Sequence, residues 1–193
     1  MRYIGFAAHS GSVSEELISR VSRIVRGLRE CYDANDLVFV VGGYWGLMKE
    51  VVNLALELGF KVIIIPPIEQ EDVRFPEGAM VVKTGTSYRV RSVFLVRTSD
   101  VLVVLGGGAG CIQELITAYT EGKPSYVLIG TGMPTDVIEG MPEYLDYREL
   151  APVMKYRDEN TLLKDLCDHL KHMKAERKES KDLLGREVKF PSG

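Results

Sequence analysis

The segment Val101-Leu102-Val103-Val104-Leu105-Gly106-Gly107-Gly108-Ala109-Gly110-Cys111-Ile112-Gln113-Glu114 decides the fold class. Five apolar residues run without a polar break, as in a strand buried on both faces. A glycine loop follows, and then a helix that ends near Glu121 with Gly122 as its stop. Such a junction points the free N–H groups and the partial positive charge of a helix start at the space above the strand, where an anion binds well. Glycines there let the backbone approach an anion closely.

The pattern recurs upstream. Val40-Val41-Gly42-Gly43-Tyr44-Trp45-Gly46-Leu47-Met48 is a second strand–glycine–helix junction, with its helix running to about Leu58 and Gly59 closing it. Further buried strands are expected at Arg2–Ala8, Lys61–Ile65 and Ser125–Ile129, with a short one at Met80–Lys83. Ser12-Val13-Ser14-Glu15 fits a capping box ahead of a helix whose Leu17, Ile18, Val21, Ile24, Val25 and Leu28 follow the helical period. Another helix is expected around Ser87–Thr98 and a last one at about Thr161–Arg177. Residues 66–79 and 130–152 read as loop and irregular chain. Apolar strands alternating with helices predict an α/β fold with a doubly wound, mostly parallel sheet sandwiched by helices, a Rossmann-like arrangement. One nucleotide-binding domain is expected over 1–178, with a polar tail at 179–193. Ligands of such sheets bind at the carboxyl ends of the strands.

Composition narrows the partners. A net charge of −3 leaves no basic footprint for a nucleic-acid backbone, so no nucleic-acid partner is expected. No apolar run approaches the roughly 20 residues that span a bilayer, and Met1-Arg2-Tyr3 leads straight into a strand without a signal-peptide core. No membrane association and a cytoplasmic location are therefore expected. Cys31, Cys111 and Cys167 are scattered and odd in number, against both a zinc site and a disulfide framework. Amide side chains are confined to Asn35, Asn53, Asn160, Gln70 and Gln113, a depletion typical of thermophile proteins.

Two further groups bear on chemistry. Arg91 precedes the quoted strand on one helix, and Glu114 lies one turn into the next, so both reach the mouth of the glycine loop. From spacing alone, a surface ion pair is the commoner role for such residues, and tight βα turns explain the glycines about as well as an anion site does. Ser10 and Ser12, beside His9, also face the carboxyl edge, although capping is the usual task of such serines. Tyr44 and Trp45 offer rings for stacking on a base or for packing. His169 and His172, near Asp165 and Asp168, read as a solvated helix face rather than a metal site.

From Tyr3 to about Ile129 the chain resembles the LOG (Lonely Guy) family, cytokinin nucleoside 5′-monophosphate phosphoribohydrolases often labelled lysine decarboxylases. The family's Pro-Gly-Gly-x-Gly-Thr-x-x-Glu aligns on Gly106–Glu114, its Arg-Lys and later Ser-Asp on Arg91-Ser92 and Ser99-Asp100, and its Gly-Gly-x-x-Gly-Leu-Met on Gly42–Met48. The resemblance implies that Gly107, Gly108, Gly110 and Cys111, with Gly43 and Ser10, hold a small AMP-like nucleotide. It implies that Arg91 and Glu114 are catalytic, flanking the N-glycosidic bond. Base and ribose 5-phosphate would be released without cofactor or metal, and nothing marks a Schiff-base lysine for a pyridoxal enzyme. It also implies a homodimer, for which the Leu47, Val51, Val52 and Leu56 face is compatible with an interface or with core. The chain departs from the family where Gly106 replaces Pro, Cys111 replaces Thr, Ser92 replaces Lys and Tyr88-Arg89 replaces Met-His. Molybdenum-cofactor carrier proteins are similar too, which leaves non-catalytic binding of a nucleotide or of that cofactor as the alternative.

Overall fold

The apolar runs of the sequence form the middle of one seven-stranded sheet in a computed structural model that describes residues 1–173. In chain order the elements are β1 (Arg2–Ala7), α1 (Glu15–Cys31), β2 (Leu37–Val41), α2 (Gly46–Glu57), β3 (Lys61–Ile64), β4 (Ala79–Val81), α3 (Tyr88–Thr98), β5 (Val101–Val104), α4 (Ala109–Thr120), β6 (Ser125–Leu128), β7 (Val153–Tyr156) and α5 (Glu159–His172). Every pairing is parallel, in the order β4-β3-β2-β1-β5-β6-β7. The α/β, Rossmann-like fold class is thereby established. Among the described residues no helix is long and apolar enough to cross a membrane.

Alternation along the strands divides the core in two. Ile4 and Phe6 of β1, with Leu37, Phe39 and Val41 of β2, point to the side carrying α1, α2 and α5. Ala7, Val40 and Val104 point to the side carrying α3 and α4. Phe6, Phe39 and Phe60 stack in series on the first side, with ring centroids 4.7 Å apart at each step. The face Leu47–Leu56 proves to be core: Leu47, Val51 and Val52 are wholly buried under α1 and the sheet, so that face is not free to form an interface.

Local physics shifts several boundaries. α1 is capped by Ser14, whose hydroxyl accepts from the Leu17 N–H, and not by Ser12. The fourth strand is Ala79–Val81. α5 opens two residues before Thr161, because Asp158 accepts from the Thr161 N–H as its cap. The end of the last expected helix and the tail at 179–193 lie outside the described residues. The stretch 130–152 contains a 3₁₀ segment, Pro134–Gly140, and leads into β7, an edge strand too short and too alternating to stand out as an apolar run. The cysteine expectation is corrected as well. Cys31, at the end of α1, is bonded to Cys167 on α5 across a separation of 136 residues. Only the packing of the first helix against the last brings the pair together.

One glycine sets the entry to the site. Gly46 starts α2 at φ +53, and a Cβ there would lie 2.5–2.6 Å from backbone atoms of His9, Ser10 and Gly11. The Leu47 N–H donates to the His9 carbonyl at 2.9 Å, so the start of α2 and the loop after β1 are locked together.

Two outcomes are expected. Replacing both Cys31 and Cys167 by Ser should lower the unfolding free energy by about 2–4 kcal/mol, through the freed unfolded chain. Urea titration of oxidised, reduced and variant protein measures this, and reduced wild type should match the variant. Gly46→Ala should cost at least about 1–3 kcal/mol, from the left-handed backbone and the crowding together. A variant as stable as wild type would show that the loop after β1 yields freely.

Candidate active site at the switch between β1 and β5

After β1 the chain turns to α1 on one face, and after β5 it turns to α4 on the other. The carboxyl ends of these neighbouring strands therefore open a crevice, the position at which doubly wound sheets bind ligands. A cleft of about 450 Å³ lies there, walled by the loop after β1 at His9 and Ser10, by Trp45 and Met48 at the start of α2, by Arg91 and Ser92 of α3 with Tyr88 and Arg89, and by the start of α4 from Gly108 to Cys111 with Glu114.

The glycine loop splits into a structural half and an open half. Gly106 takes φ +113, a conformation closed to proline, and Thr131 packs against it. The Gly107 N–H donates to Thr135 Oγ1 at 3.0 Å, and its carbonyl accepts from the Thr135 N–H at 3.0 Å. Gly107 is therefore not a free anion donor, which corrects the sequence expectation. From Gly108 the loop is open. Added Cβ atoms at Gly108 and Gly110 would meet nothing within 4 Å. The N–H groups of Gly108, Ala109 and Gly110 find no acceptor among the described residues, because the first bonds of α4 run from Cys111 and Ile112 back to the Gly108 carbonyl.

Arg91 and Glu114 meet inside this cleft. Arg91 Nη1 lies 3.1 Å from Glu114 Oε1, and both side chains are only 8% exposed, so the pair is not a surface ion pair. Ser92 Oγ donates to the same oxygen at 2.8 Å. Glu114 Oε2 accepts no hydrogen bond from the described residues. Arg91 Nε is buried without a partner. Gly42, at the end of β2, leaves the room that the guanidinium occupies, since a Cβ there would overlap it. Burial pushes the Glu114 carboxyl above its ordinary range, against the opposing pull of Arg91 and the Ser92 hydroxyl. Burial, and then the charge of Glu114, push the Cys111 thiol up to about 12, so it stays protonated at neutral pH. Its sulfur packs against Gly107.

The remaining candidates separate. Ser10 lines the cleft, as do Gly108, Gly110 and Cys111. Gly43 does not; the Trp45 ring fills the space beside it. Trp45 reaches the cleft, whereas Tyr44 turns away, with its hydroxyl on Asn53 and Lys49 over its ring. Ser92, Gly42 and Thr135 escape a sequence reading. Ser92 carried a signal, standing next to Arg91 where the resembled motif has lysine, and Gly42 stood in the first glycine junction with no role assigned; Thr135 carried none. A second hollow, of about 520 Å³, runs from Ser12 to Met133, but its Arg20 is saturated by Glu159 and by the carbonyls of Ile129, Gly130 and Arg157. Among the described residues no three His, Cys, Asp or Glu side chains group around a possible metal position.

The raised Glu114 carboxyl has a measurable sign. The folded protein holds this proton more tightly than the unfolded chain. Its contribution to stability therefore falls as pH rises from the ordinary carboxylate range through the folded-state value. Glu114→Gln removes that dependence, so the variant should gain on wild type as pH rises. Denaturant unfolding across a pH series reads this, and parallel stability curves would contradict the raised value.

Comparisons with known proteins agree with this architecture. A model of the SLOG cluster4 family matches residues 7–161. An uncharacterized protein from Archaeoglobus fulgidus is 33% identical over 119 residues, 62% of this chain and 75% of that one. The solved structure of TM1055 superposes with a TM-score of 0.74 at 28% identity, over 86% of this chain and 98% of that one. The molybdenum cofactor binding protein from Rippkaea orientalis shares the fold, with a TM-score of 0.69 at 15% identity over 88% of this chain and 97% of its own. So does the molybdenum cofactor carrier protein of Chlamydomonas reinhardtii, with a TM-score of 0.65 at 19% identity over 89% and 99%. With the glycine loop, the Arg91–Glu114 pair and the sheet order in place, the chain belongs to the SLOG cluster4 family, a LOG-like branch of Rossmann-type proteins.

Proposed function

We propose that the cleft binds a nucleoside 5′-monophosphate and that the protein hydrolyses its N-glycosidic bond, giving the free base and ribose 5-phosphate. One observation carries this reading: the Arg91–Glu114 pair lines the same cleft as the unpartnered N–H groups of Gly108, Ala109 and Gly110. The phosphate sits at the start of α4, where backbone donors and helix dipole converge. Glu114 lies six residues further along, about 9 Å at the helical rise. That distance is on the scale of a ribose with its 5′-phosphate. With Oε1 held by Arg91 and Ser92, Oε2 is left to face the sugar, to stabilise positive charge on an oxocarbenium-like ring and to orient water at C1′. Arg91 and the Ser92 hydroxyl favour the ionised carboxylate and so oppose the burial that raises it. The exposed ring of Tyr88 and that of Trp45 offer faces for the base.

A second reading, binding or carriage without hydrolysis, is favoured by a separate observation. Gly107 has already spent its N–H on Thr135, and a protonated thiol stands where the resembled motif has a hydroxyl, so the phosphate cradle is reduced. The ligand is then a nucleotide or a molybdenum cofactor.

Base release from a panel of nucleoside 5′-monophosphates distinguishes the two. Under the hydrolytic reading Glu114→Gln keeps thermal stabilisation by the substrate and loses turnover, and Arg91→Ala lowers turnover by about 10²-fold. Gly108→Val, which fills the open side of the loop, abolishes the ligand-dependent rise in melting temperature, and the nucleoside without phosphate gives little rise in wild type. No release with any monophosphate, together with stabilisation by one of them or by a molybdopterin ligand, selects the binding reading. Equal stabilisation by nucleoside and nucleotide overturns the phosphate assignment in both.

A further inference from the structure

Breaking an N-glycosidic bond in the cleft develops charge at two places. The sugar carbon becomes positive, and Glu114 answers it. The departing base takes both electrons of the bond, and a positioned acid that protonates it there speeds its exit. The lining of the cleft narrows the choice of that acid. Guanidinium and amide groups do not give up a proton near neutral pH, and serine and tyrosine hydroxyls are poor acids. The Cys111 thiol, pushed up to about 12, keeps its proton. Glu114 is held at Oε1 by Arg91 and Ser92 and is occupied with the sugar. His9 remains, the one histidine that lines the cleft among the described residues, and histidine is the side chain type that gives and takes protons between pH 5 and 8.

The fold places this ring beside the base and not beside the phosphate. Alternation along β1 turns Ala7 to the side of α3 and α4, and Ala8 to the other. His9 follows and returns to the cleft side, half-buried. Its carbonyl accepts from the Leu47 N–H at 2.9 Å, which fastens it to the start of α2, where Trp45 stands. Gly11 leaves room for the imidazole, since a Cβ there would lie 2.8 Å from Nε2. Of the three histidines only His172 hydrogen-bonds through its ring among the described residues, so the His9 imidazole is engaged by no other group there. We propose that His9 is the general acid of the cleft, its imidazolium passing an N–H proton to the base as the bond from C1′ breaks. The inference rests on the hydrolytic reading. In the step, the C1′–N electron pair goes to the base, which takes the proton of His9. Water forms the new bond to C1′ and loses a proton to the Glu114 carboxylate. Solvent then restores the imidazolium and clears the carboxyl.

The test sets nucleoside 5′-monophosphates, AMP among them, against 4-nitrophenyl β-D-ribofuranoside 5-phosphate, whose leaving group departs as a stable anion without a proton. Wild type hydrolyses both kinds. His9→Gln lowers kcat on the nucleotide by about 10²–10⁴-fold but releases nitrophenol within about threefold of wild type. It also keeps the rise in melting temperature that the nucleotide gives, and Glu114→Gln loses turnover of both substrates. His9→Ala regains nucleotide turnover when imidazole is added. Equal losses on the two substrates in His9→Gln, or no loss on either, overturn the proposal and leave the hydrolytic reading standing. Nitrophenol release by wild type without cleavage of any nucleotide overturns it too, because no acid is then in place. If wild type cleaves the nucleotide alone, a His9→Ala protein that imidazole does not restore overturns it. Release from neither substrate overturns the hydrolytic reading and the proposal with it.

Discussion

The buried ion pair between Arg91 and Glu114 is the contact around which the cleft is organised. It ties α3 to α4 above the point where the strand order reverses, beside the bond from Gln113 to the Arg89 carbonyl. Removing two charges from water is expensive, and such pairs rarely repay it in stability unless their hydrogen-bonding capacity is filled. The molecule provides a comparison. Arg20, also buried, meets Glu159 and three carbonyls, and so fastens the loop after β6 to α1 and α5. Arg91 has one carboxylate oxygen and an unpartnered Nε. The first pair is complete in the protein alone. The second leaves bonding capacity unused at the floor of an open cleft, an arrangement expected of a site rather than of a brace.

Support for the pair comes from residues whose contribution is space or orientation. Gly42 matters for the side chain it lacks, since the guanidinium occupies that volume. Ser92 doubles the hold on Glu114 Oε1 without adding charge. Lysine at the position of Ser92, as in the resembled motif, would bring a second cation beside the carboxylate. Serine leaves Arg91 as the one cationic partner of Glu114 among the described residues. The loop is altered in the same spirit. With Gly106 at φ +113, the chain takes a path closed to proline, and Thr135 captures Gly107 from behind.

How far the sequence foretold this depends on the range of the interactions. The central strands were legible because unbroken apolar runs have few other uses. The two glycine junctions were legible because a strand that stops at glycines and restarts as a helix leaves free N–H groups in a known direction. The meeting of Arg91 with Glu114 came within reach only through the resemblance, since spacing alone favoured a surface pair. What escaped was set by tertiary context. The Gly107–Thr135 bond spans 28 residues, and Gly43 drops out because a neighbouring ring turns into its space. β7 has too few residues to show a period, and the apolar face of α2 was ambiguous until the sheet was seen beneath it.

The covalent tie between Cys31 and Cys167 also bears on how the molecule withstands damage. The cleft walls contributed by α3 and α4, and the exposed stretch around Tyr147, lie inside the closed loop it defines. A protease that cuts that stretch opens a ring instead of severing a chain. The two fragments remain one molecule, α5 stays held against α1, and refolding after a nick is an intramolecular event. Loss of the covalent tie turns the same cut into a dissociation.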